Sequence, residues 1–190
     1  MIAIIASVST PHGIYRVGNN TPWPAINRDK EVLRSVTNDQ IIVVGPTTYS
    51  MLPKNLSPEL CIVVDASMST LAKCHFDYTS CKNVEGAIAL AKKSLPNKKV
   101  YFIGGEKLMA EALRFCTDAY ITEVDCDCRN QDPTFGPLTF FPEALSLKDN
   151  RDWMIGGLFN FKEKLGDLGI TIDLKYIHYE KVDRRFIGKD

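Results

Sequence analysis

Five short apolar runs constrain the fold of this chain more than any other feature of its sequence. They lie at residues 2–8, 41–44, 61–64, 100–103 and 119–124. Each is rich in β-branched residues, and most are nearly continuous rather than alternating between apolar and polar positions. Runs of this kind are typical of strands that are covered on both faces of a sheet.

Segments with helical spacing fall between these runs. After Asn83, a good N-cap residue, apolar side chains recur at helical intervals until Pro96. A second helix is predicted over residues 106–114, and a third after Trp23 and the proline that follows it. Strand and helix in repeated alternation predict an α/β fold with a mostly parallel central sheet and flanking helices.

The last third of the chain has a different pattern. Residues 153–161 and 170–182 are predicted to form two long strands around a turn at 166–169, giving a C-terminal antiparallel hairpin. Residues 127–152 are rich in Pro, Asp and Asn and are predicted to be loop. We find no internal repeat and no linker, so we expect residues 1–190 to form a single domain.

Composition and charge exclude several classes of protein. Lys plus Arg and Asp plus Glu are balanced at 23 each, which argues against a nucleic-acid surface. The apolar N-terminus is short, no basic segment precedes it, and Pro11 ends it, so it indicates a buried strand rather than a signal peptide. No run is long enough to span a membrane. We therefore expect a cytoplasmic monomer with a small-molecule substrate, and no nucleic-acid or membrane partner.

The six cysteines do not predict a metal site. They include no C-x-x-C pair and have no histidine at ligand spacing. Without a secretory signal, they are expected to be reduced thiols.

Asp29 is the most informative single residue. Helical spacing places it on one face with apolar residues three, four and seven positions away, namely Ala25, Ile26, Val32, Leu33 and Val36. A carboxylate on an apolar face is costly unless it is paired, and burial raises its pKa. It is therefore a candidate proton donor or polar anchor. The alternative is a first-turn Asp that stabilises the N-terminus of its helix, which is common.

Glycine follows two of the predicted strands where a helix begins. One site is Gly45, followed by Pro46 and two threonines, and the other is the pair Gly104-Gly105. Glycine allows close approach of a ligand, and the amides at a helix start attract phosphate. Two such sites in one sheet suggest a dinucleotide. Neither matches the G-x-G-x-x-G fingerprint, so an ordinary Rossmann domain is not favoured.

The order of these motifs resembles that of the dihydrofolate reductases over nearly the whole chain. The matching segments, in order, are Ile5-Ala6-Ser7, Gly13-Ile14, Thr21-Pro22-Trp23, Asp29, Gly45 with Thr48-Tyr49, Ile103-Gly104-Gly105, Tyr120-Ile121-Thr122, Phe140-Phe141-Pro142 and Trp153. A Trp followed six residues later by Asp is fairly specific, and the ensemble is more specific than any part.

The resemblance implies an activity in tetrahydrofolate biosynthesis and one-carbon metabolism. The enzyme would reduce 7,8-dihydrofolate by hydride transfer from NADPH, with Asp29 binding the pterin and promoting protonation of its N5 atom. Thr122 would orient Asp29, and Trp23 would complete the catalytic set at the end of a loop, 14–23, that closes over the nicotinamide. The implied substrate-binding residues are Ile5, Ala6, Leu33, Arg34, Leu52 and Ile103. The implied cofactor-binding residues are Ser7, Ile14, Gly45, Thr47, Thr48, Lys82, Gly104, Gly105, Glu106, Lys107 and Leu108.

The sequence departs from the family pattern at two basic positions. Pro46 stands where the family has an Arg for the 2′-phosphate of NADPH; Lys82 is the replacement we identify, and NADH remains open as a cofactor. Glu59 stands where the family has an Arg for the glutamate tail of folate, with Arg34 or Lys54 as substitutes. Loss of that Arg favours an alternative, the pyrimidine reductase of riboflavin synthesis, which shares the fold and does not need the buried Asp. A third possibility is a non-catalytic pterin- or nucleotide-binding or structural protein.

Overall fold

The predicted alternation of strands and helices is present in a computed structural model of the chain. The structure describes residues 1–10, 14–17, 23, 25–69, 71, 76–126, 138–141, 147–165 and 169–183. The elements in chain order are β1 Ile2–Thr10, β2 Ile14–Val17, α1 Asn27–Thr37, β3 Ile41–Val44, α2 Pro46–Met51, β4 Leu60–Val64, β5 Thr79–Cys81, α3 Val84–Ser94, β6 Val100–Gly104, α4 Glu106–Ala112, β7 Asp118–Asp125, β8 Leu138–Phe140, β9 Trp153–Leu165 and β10 Ile170–Lys181.

The central sheet has eight strands in the order β5-β4-β3-β6-β1-β7-β10-β9. Every pair from β5 to β7 is parallel, whereas β10 runs antiparallel to both β7 and β9. The predicted α/β class, the mostly parallel sheet and the C-terminal antiparallel hairpin are therefore confirmed. All four residues of β3 are buried, as its continuous apolar sequence predicts.

Local sequence accounts for α3 in the way that was predicted. The Asn83 side chain accepts a hydrogen bond from the Gly86 amide at 2.8 Å, so it caps the helix. The buried face carries Val84, Ala87, Ile88 and Ala91. This spacing turns one apolar stripe toward the sheet.

The prediction of loop over 127–152 is wrong in two places. Residues Leu138–Phe140 form β8, which pairs with β2 in a separate two-stranded sheet, and Leu147–Asp149 form a short 3₁₀ helix. The β8 strand depends on pairing with a distant segment, so its local pattern does not reveal it. The β9 strand also runs on to Leu165, past the predicted end at 161. Most of the predicted 166–169 turn lies outside the described residues.

Helices cover both faces of the sheet and leave the carboxyl ends of its parallel strands open. On one face, α3 and α4 pack over β1, β6 and β7 around Ile4, Phe102 and Ile121. On the other face, Leu33 of α1 packs against Ile5. The carboxyl ends of parallel strands are where open α/β sheets bind ligands. None of the described helices is long and apolar enough to cross a bilayer.

Candidate active site

A cavity of about 170 Å³ lies between α1, the middle of β1 and β7, and the end of β6. Its described lining is apolar except for one carboxylic acid and two hydroxyl groups. The lining residues are Ile5, Ala6, Ser7, Asp29, Val32, Leu33, Ile103, Met109 and Thr122. Asp29 is the only charged residue type among them, as the helical spacing predicted.

Neighbouring strands direct two hydroxyl groups at Asp29. Ser7 on β1 and Thr122 on β7 are partners in the parallel register, so their side chains lie side by side on one face of the sheet. The Ser7 hydroxyl donates a hydrogen bond to Oδ1 of Asp29 at 2.7 Å. Thr122 also hydrogen-bonds the carboxyl group of Asp29.

The environment of Asp29 favours its protonated form. Burial raises the pKa of Asp29 above its ordinary value, and this effect outweighs the hydrogen bonds from Ser7 and Thr122, which lower it. The negative charge of Glu163 raises the pKa further, and the positive charge of Lys30 lowers it. The carboxyl group therefore keeps its proton to a higher pH than an exposed aspartate does.

Asp29 does lie in the first turn of α1, as its alternative role requires, and a residue from a distant strand caps the same turn. Glu163, on β9, accepts hydrogen bonds from the backbone amides of Asn27 and Arg28, each at 2.8 Å. These are first-turn amides that have no partner within the helix. Sequence reasoning missed Glu163 because it lies far along the chain, beyond the predicted end of its strand.

A second cavity, of about 480 Å³, lies where α2, α3 and α4 begin. Its lining combines the residues that follow β3 and β6 with residues after β4 and at the start of α3. The lining residues are Gly45, Pro46, Thr47, Thr48, Val64, Ala66, Lys82, Asn83, Gly105, Glu106, Lys107, Leu108 and Glu111.

The two predicted glycine sites form one feature, because β3 and β6 are neighbours in the sheet. The Gly45 amide donates to the Gly104 carbonyl at 2.9 Å. Gly104 has φ 139° and is joined to Gly105 by a cis peptide bond. Only glycine adopts this φ readily. Gly45 and Gly105 are the N-cap residues of α2 and α4, so they leave first-turn amides without a side-chain cap.

The charges at the second cavity are mixed. Lys82 and Lys107 are its basic lining residues, and Glu106 and Glu111 are its acidic ones. Asp65, just after β4, lies outside the lining. Hydrogen bonds from Ser69 and Ser67 lower its pKa to about 2.

Most of the predicted site residues line one of the two cavities. Around Asp29 and Thr122, the smaller cavity contains Ile5, Ala6, Ser7, Leu33 and Ile103. The larger cavity contains Gly45, Thr47, Thr48, Lys82, Gly105, Glu106, Lys107 and Leu108. Sequence reasoning missed Val32 and Met109 in the first cavity, and Val64, Ala66, Asn83 and Glu111 in the second. No sequence pattern distinguished these residues from ordinary core or surface positions.

Other predicted residues lie elsewhere. Leu52 is 5% exposed and packs in the core with Tyr49 and Leu56. Arg34 is exposed on α1, and Trp23 packs against Ile26. Gly104 is buried at the end of β6. The backbone of Ile14 pairs with that of Phe140, but most of the predicted closing loop lies outside the described residues.

Glu59 and its predicted substitutes are also on the surface. Glu59, Lys54 and Arg34 are all exposed. The Glu59 amide donates to the carbonyl of Gln40 at 2.9 Å, which fixes its backbone next to β3. The roles predicted for all these residues stay predictions.

Comparison with known proteins gives consistent matches. The model of the family described as dihydrofolate reductase matches residues 1–155. Dihydrofolate reductase type 8 from Escherichia coli is 26% identical over 124 residues, covering 64% of this chain and 72% of that protein, and the protein of the same name from Shigella sonnei gives the same values. A solved structure of dihydrofolate reductase from Enterococcus faecalis, complexed with NADP(H) and RAB-propyl, has a TM-score of 0.73 at 20% identity. That alignment covers 96% of this chain and 97% of the other, and it shows a common fold.

Proposed function

Since the chain belongs to the dihydrofolate reductase family, we propose that it reduces 7,8-dihydrofolate to tetrahydrofolate with a hydride from NADPH. The observation that carries this proposal is Asp29, the single carboxyl group among the described lining residues of a largely apolar cavity. The E. faecalis neighbour, described as an NADP(H) complex, supports the choice of cofactor.

In the proposed reaction, Asp29 binds the 2-amino group and N3 of the pterin. Once it has given up its proton, the carboxyl group accepts hydrogen bonds from both donors at once. Because burial raises the pKa of Asp29, the site retains a proton at a pH where an exposed aspartate has lost it. Asp29 thereby promotes protonation of N5 while the hydride reaches C6. Thr122 holds the carboxyl group in orientation through its hydrogen bond.

The apolar lining supports this chemistry. Ile5, Leu33 and Ile103 form walls on which a flat pterin ring can pack. Val32 and Met109 extend the same surface. These side chains exclude water, and a charge that develops in a water-poor cavity interacts more strongly with its partners.

The second cavity fits a dinucleotide with a pyrophosphate group. Uncapped first-turn amides follow Gly45 and Gly105, and such amides bind phosphate. The hydroxyl groups of Thr47 and Thr48 and the charge of Lys107 lie in the same lining. NADPH, when bound, would supply the hydride.

The test is a spectrophotometric assay with dihydrofolate and NADPH. We expect loss of NADPH absorbance that depends on dihydrofolate, and formation of tetrahydrofolate. Binding of both ligands without turnover would contradict the proposal and favour a binding protein.

One observation favours the alternative, the pyrimidine reductase of riboflavin synthesis. Glu59 stands where the glutamate tail of folate would meet an Arg, and it is exposed. If the pyrimidine reductase substrate is consumed with NADPH and dihydrofolate is not, this alternative is correct.

For dihydrofolate, we expect Glu59→Arg to lower KM slightly and in a salt-sensitive way, because exposed charges are well screened.

A further inference from the structure

The helix that carries Asp29 has no cap from its own sequence. Ile26 occupies the N-cap position, and its side chain is apolar. Glu163 of β9 supplies the missing acceptors, since its Oε1 receives the Asn27 amide and its Oε2 receives the Arg28 amide. A carboxylate at this end of a helix also opposes the positive end of the helix dipole. The outermost strand of the sheet therefore holds the first turn of α1.

The hydrogen bonds from the Asn27 and Arg28 amides to Glu163 also help to position Asp29, the next residue in the chain. Asp29 directly follows Arg28, so fixing the first two amides fixes the turn from which the Asp29 side chain enters the cavity. The guanidinium of Arg28 lies over the ring of Phe161, 5.7 Å from its centroid, on the same strand as Glu163. Phe161 in turn packs against the cluster that contains Ile26. Strand β9 and the start of α1 are thus joined by packing as well as by hydrogen bonds.

Four neighbours face the Asp29 carboxyl group with opposing effects. Ser7 on β1 and Thr122 on β7 hydrogen-bond it, Lys30 lies on its own helix, and Glu163 approaches from β9. A hydrogen-bond donor or a positive charge favours the carboxylate, whereas a second carboxylate favours the neutral acid. Glu163 and Ser7 therefore shift the pKa of Asp29 in opposite directions.

We propose that Glu163 and Ser7 are positioning residues that set, in opposite senses, how readily Asp29 holds its proton. Glu163 anchors the helix and favours the protonated acid, whereas the Ser7 hydroxyl favours the charged form. This inference rests on the proposed function, because it concerns the group that promotes protonation of the substrate. The partly buried carboxyl group thus has hydroxyl partners on β1 and β7 and a like charge on β9.

The experiment is a ¹³C NMR titration of the Asp29 carboxyl carbon in the full-length protein without ligands. The signal is assigned by its absence in Asp29→Asn. We expect Glu163→Gln to lower the titration midpoint, because the like charge is removed while an acceptor for the helix amide remains. We expect Ser7→Ala to raise the midpoint, because a hydrogen bond to the charged form is lost. A midpoint that moves by one pH unit changes the ratio of protonated to ionised Asp29 tenfold at a given pH.

Glu31→Gln is the matched control. It makes the same chemical change on the helix that carries Asp29, but Glu31 pairs with Arg28 at 3.7 Å where both side chains are largely exposed. We expect the control to leave the Asp29 midpoint where it is in the wild type. Glu163→Gln should also lower Tm by about 2–4 °C, because a neutral amide caps the helix more weakly than a carboxylate does.

The outcomes separate positioning from a purely structural role. A lower Tm in Glu163→Gln with an unchanged midpoint would show that Glu163 only caps the helix, and the proposal for Glu163 would be wrong. An unchanged midpoint in Ser7→Ala would show that the proposal for Ser7 is wrong. If the midpoints move as expected but the wild type does not reduce dihydrofolate, this inference stands and the proposed function fails. If dihydrofolate is reduced and neither midpoint moves, the inference alone fails.

Discussion

The two cavities that contain most of the candidate site residues are built by different means. The smaller is formed by side chains, with Asp29 placed by partners on β1, β7 and β9. In the larger, backbone amides without a side-chain cap follow Gly45 and Gly105. We therefore propose that the chemical step depends on individual side chains, whereas cofactor binding depends on backbone shape. Single substitutions should therefore affect the two regions in different ways.

The largest expected effect is in the smaller cavity. Asp29→Asn should lower kcat for dihydrofolate at pH 7 by about 10²–10⁴-fold, the usual contribution of a general acid. The fold should survive because the amide has nearly the same shape. Steady-state kinetics, with circular dichroism to check folding, make the measurement. Near-wild-type turnover in a folded variant would remove Asp29 from the mechanism.

In the larger cavity, replacing a glycine that has an unusual backbone conformation should have the strongest effect. Gly104→Ala places a Cβ at φ 139°, where strain costs about 1–3 kcal/mol, and the added carbon would lie 3.5 Å from Oγ1 of Thr48. We expect a lower Tm and weaker NADPH binding by calorimetry. Gly45→Ala is the control for stability, because its Cβ would meet only ordinary contacts, at 3.7 Å and beyond. Equal Tm values for the two variants would show that the conformation of Gly104 is not required.

Removing a charged side chain from the larger cavity should have a smaller effect than substituting Gly104. Lys82→Ala should raise KM for NADPH by about tenfold, because one exposed hydrogen bond to a charged group lies at the lower end of about 1.5–3 kcal/mol. KM for NADH should change little. With Pro46 in place of an Arg, the wild type should also discriminate weakly between the two cofactors. A strong NADPH preference that persists in Lys82→Ala would mean that another group binds the 2′-phosphate.

The smallest expected effect is on thermal stability and comes from Asp29 in the smaller cavity. The pKa of Asp29 is raised in the folded chain, so its protonated form stabilises the fold at low pH. This contribution is complete below the unfolded pKa and is lost as pH rises through the folded pKa. Asp29→Asn should therefore raise Tm at pH 7 by a few degrees at most, since about 1 kcal/mol shifts Tm by about 2–4 °C here. Calorimetry at acid and neutral pH measures this; a lower Tm at neutral pH would contradict it.

The elements that the sequence predicted are those with strong local patterns. The strand β3 and the Asn83 cap of α3 can be predicted from neighbouring residues alone. Asp29 can be singled out because a charged residue interrupts an apolar stripe. By contrast, β8 forms through pairing with β2, and no local pattern indicated it.

The same distinction applies within the candidate site. Ser7 was predicted on the cofactor side, but the structure pairs its hydroxyl with Asp29 across 22 residues of sequence. Glu163 contacts the start of α1 across 136 residues. Leu52 was assigned to the pterin wall by resemblance alone; it lies in a core cluster against which Leu33 and Ile103 pack, and its role stays a prediction. Long-range packing decides such contacts, and single-sequence patterns carry little information about it.

The central claim is that Asp29 provides the proton-linked step of dihydrofolate reduction. The most direct test is the rate of hydride transfer in single turnovers, followed against pH for the wild type and Asp29→Asn with saturating NADPH and dihydrofolate. We predict that the wild-type rate falls as pH rises through the raised pKa of Asp29, and that the variant is slow at every pH and lacks this dependence. A variant that keeps the wild-type rate and its pH profile would contradict the account.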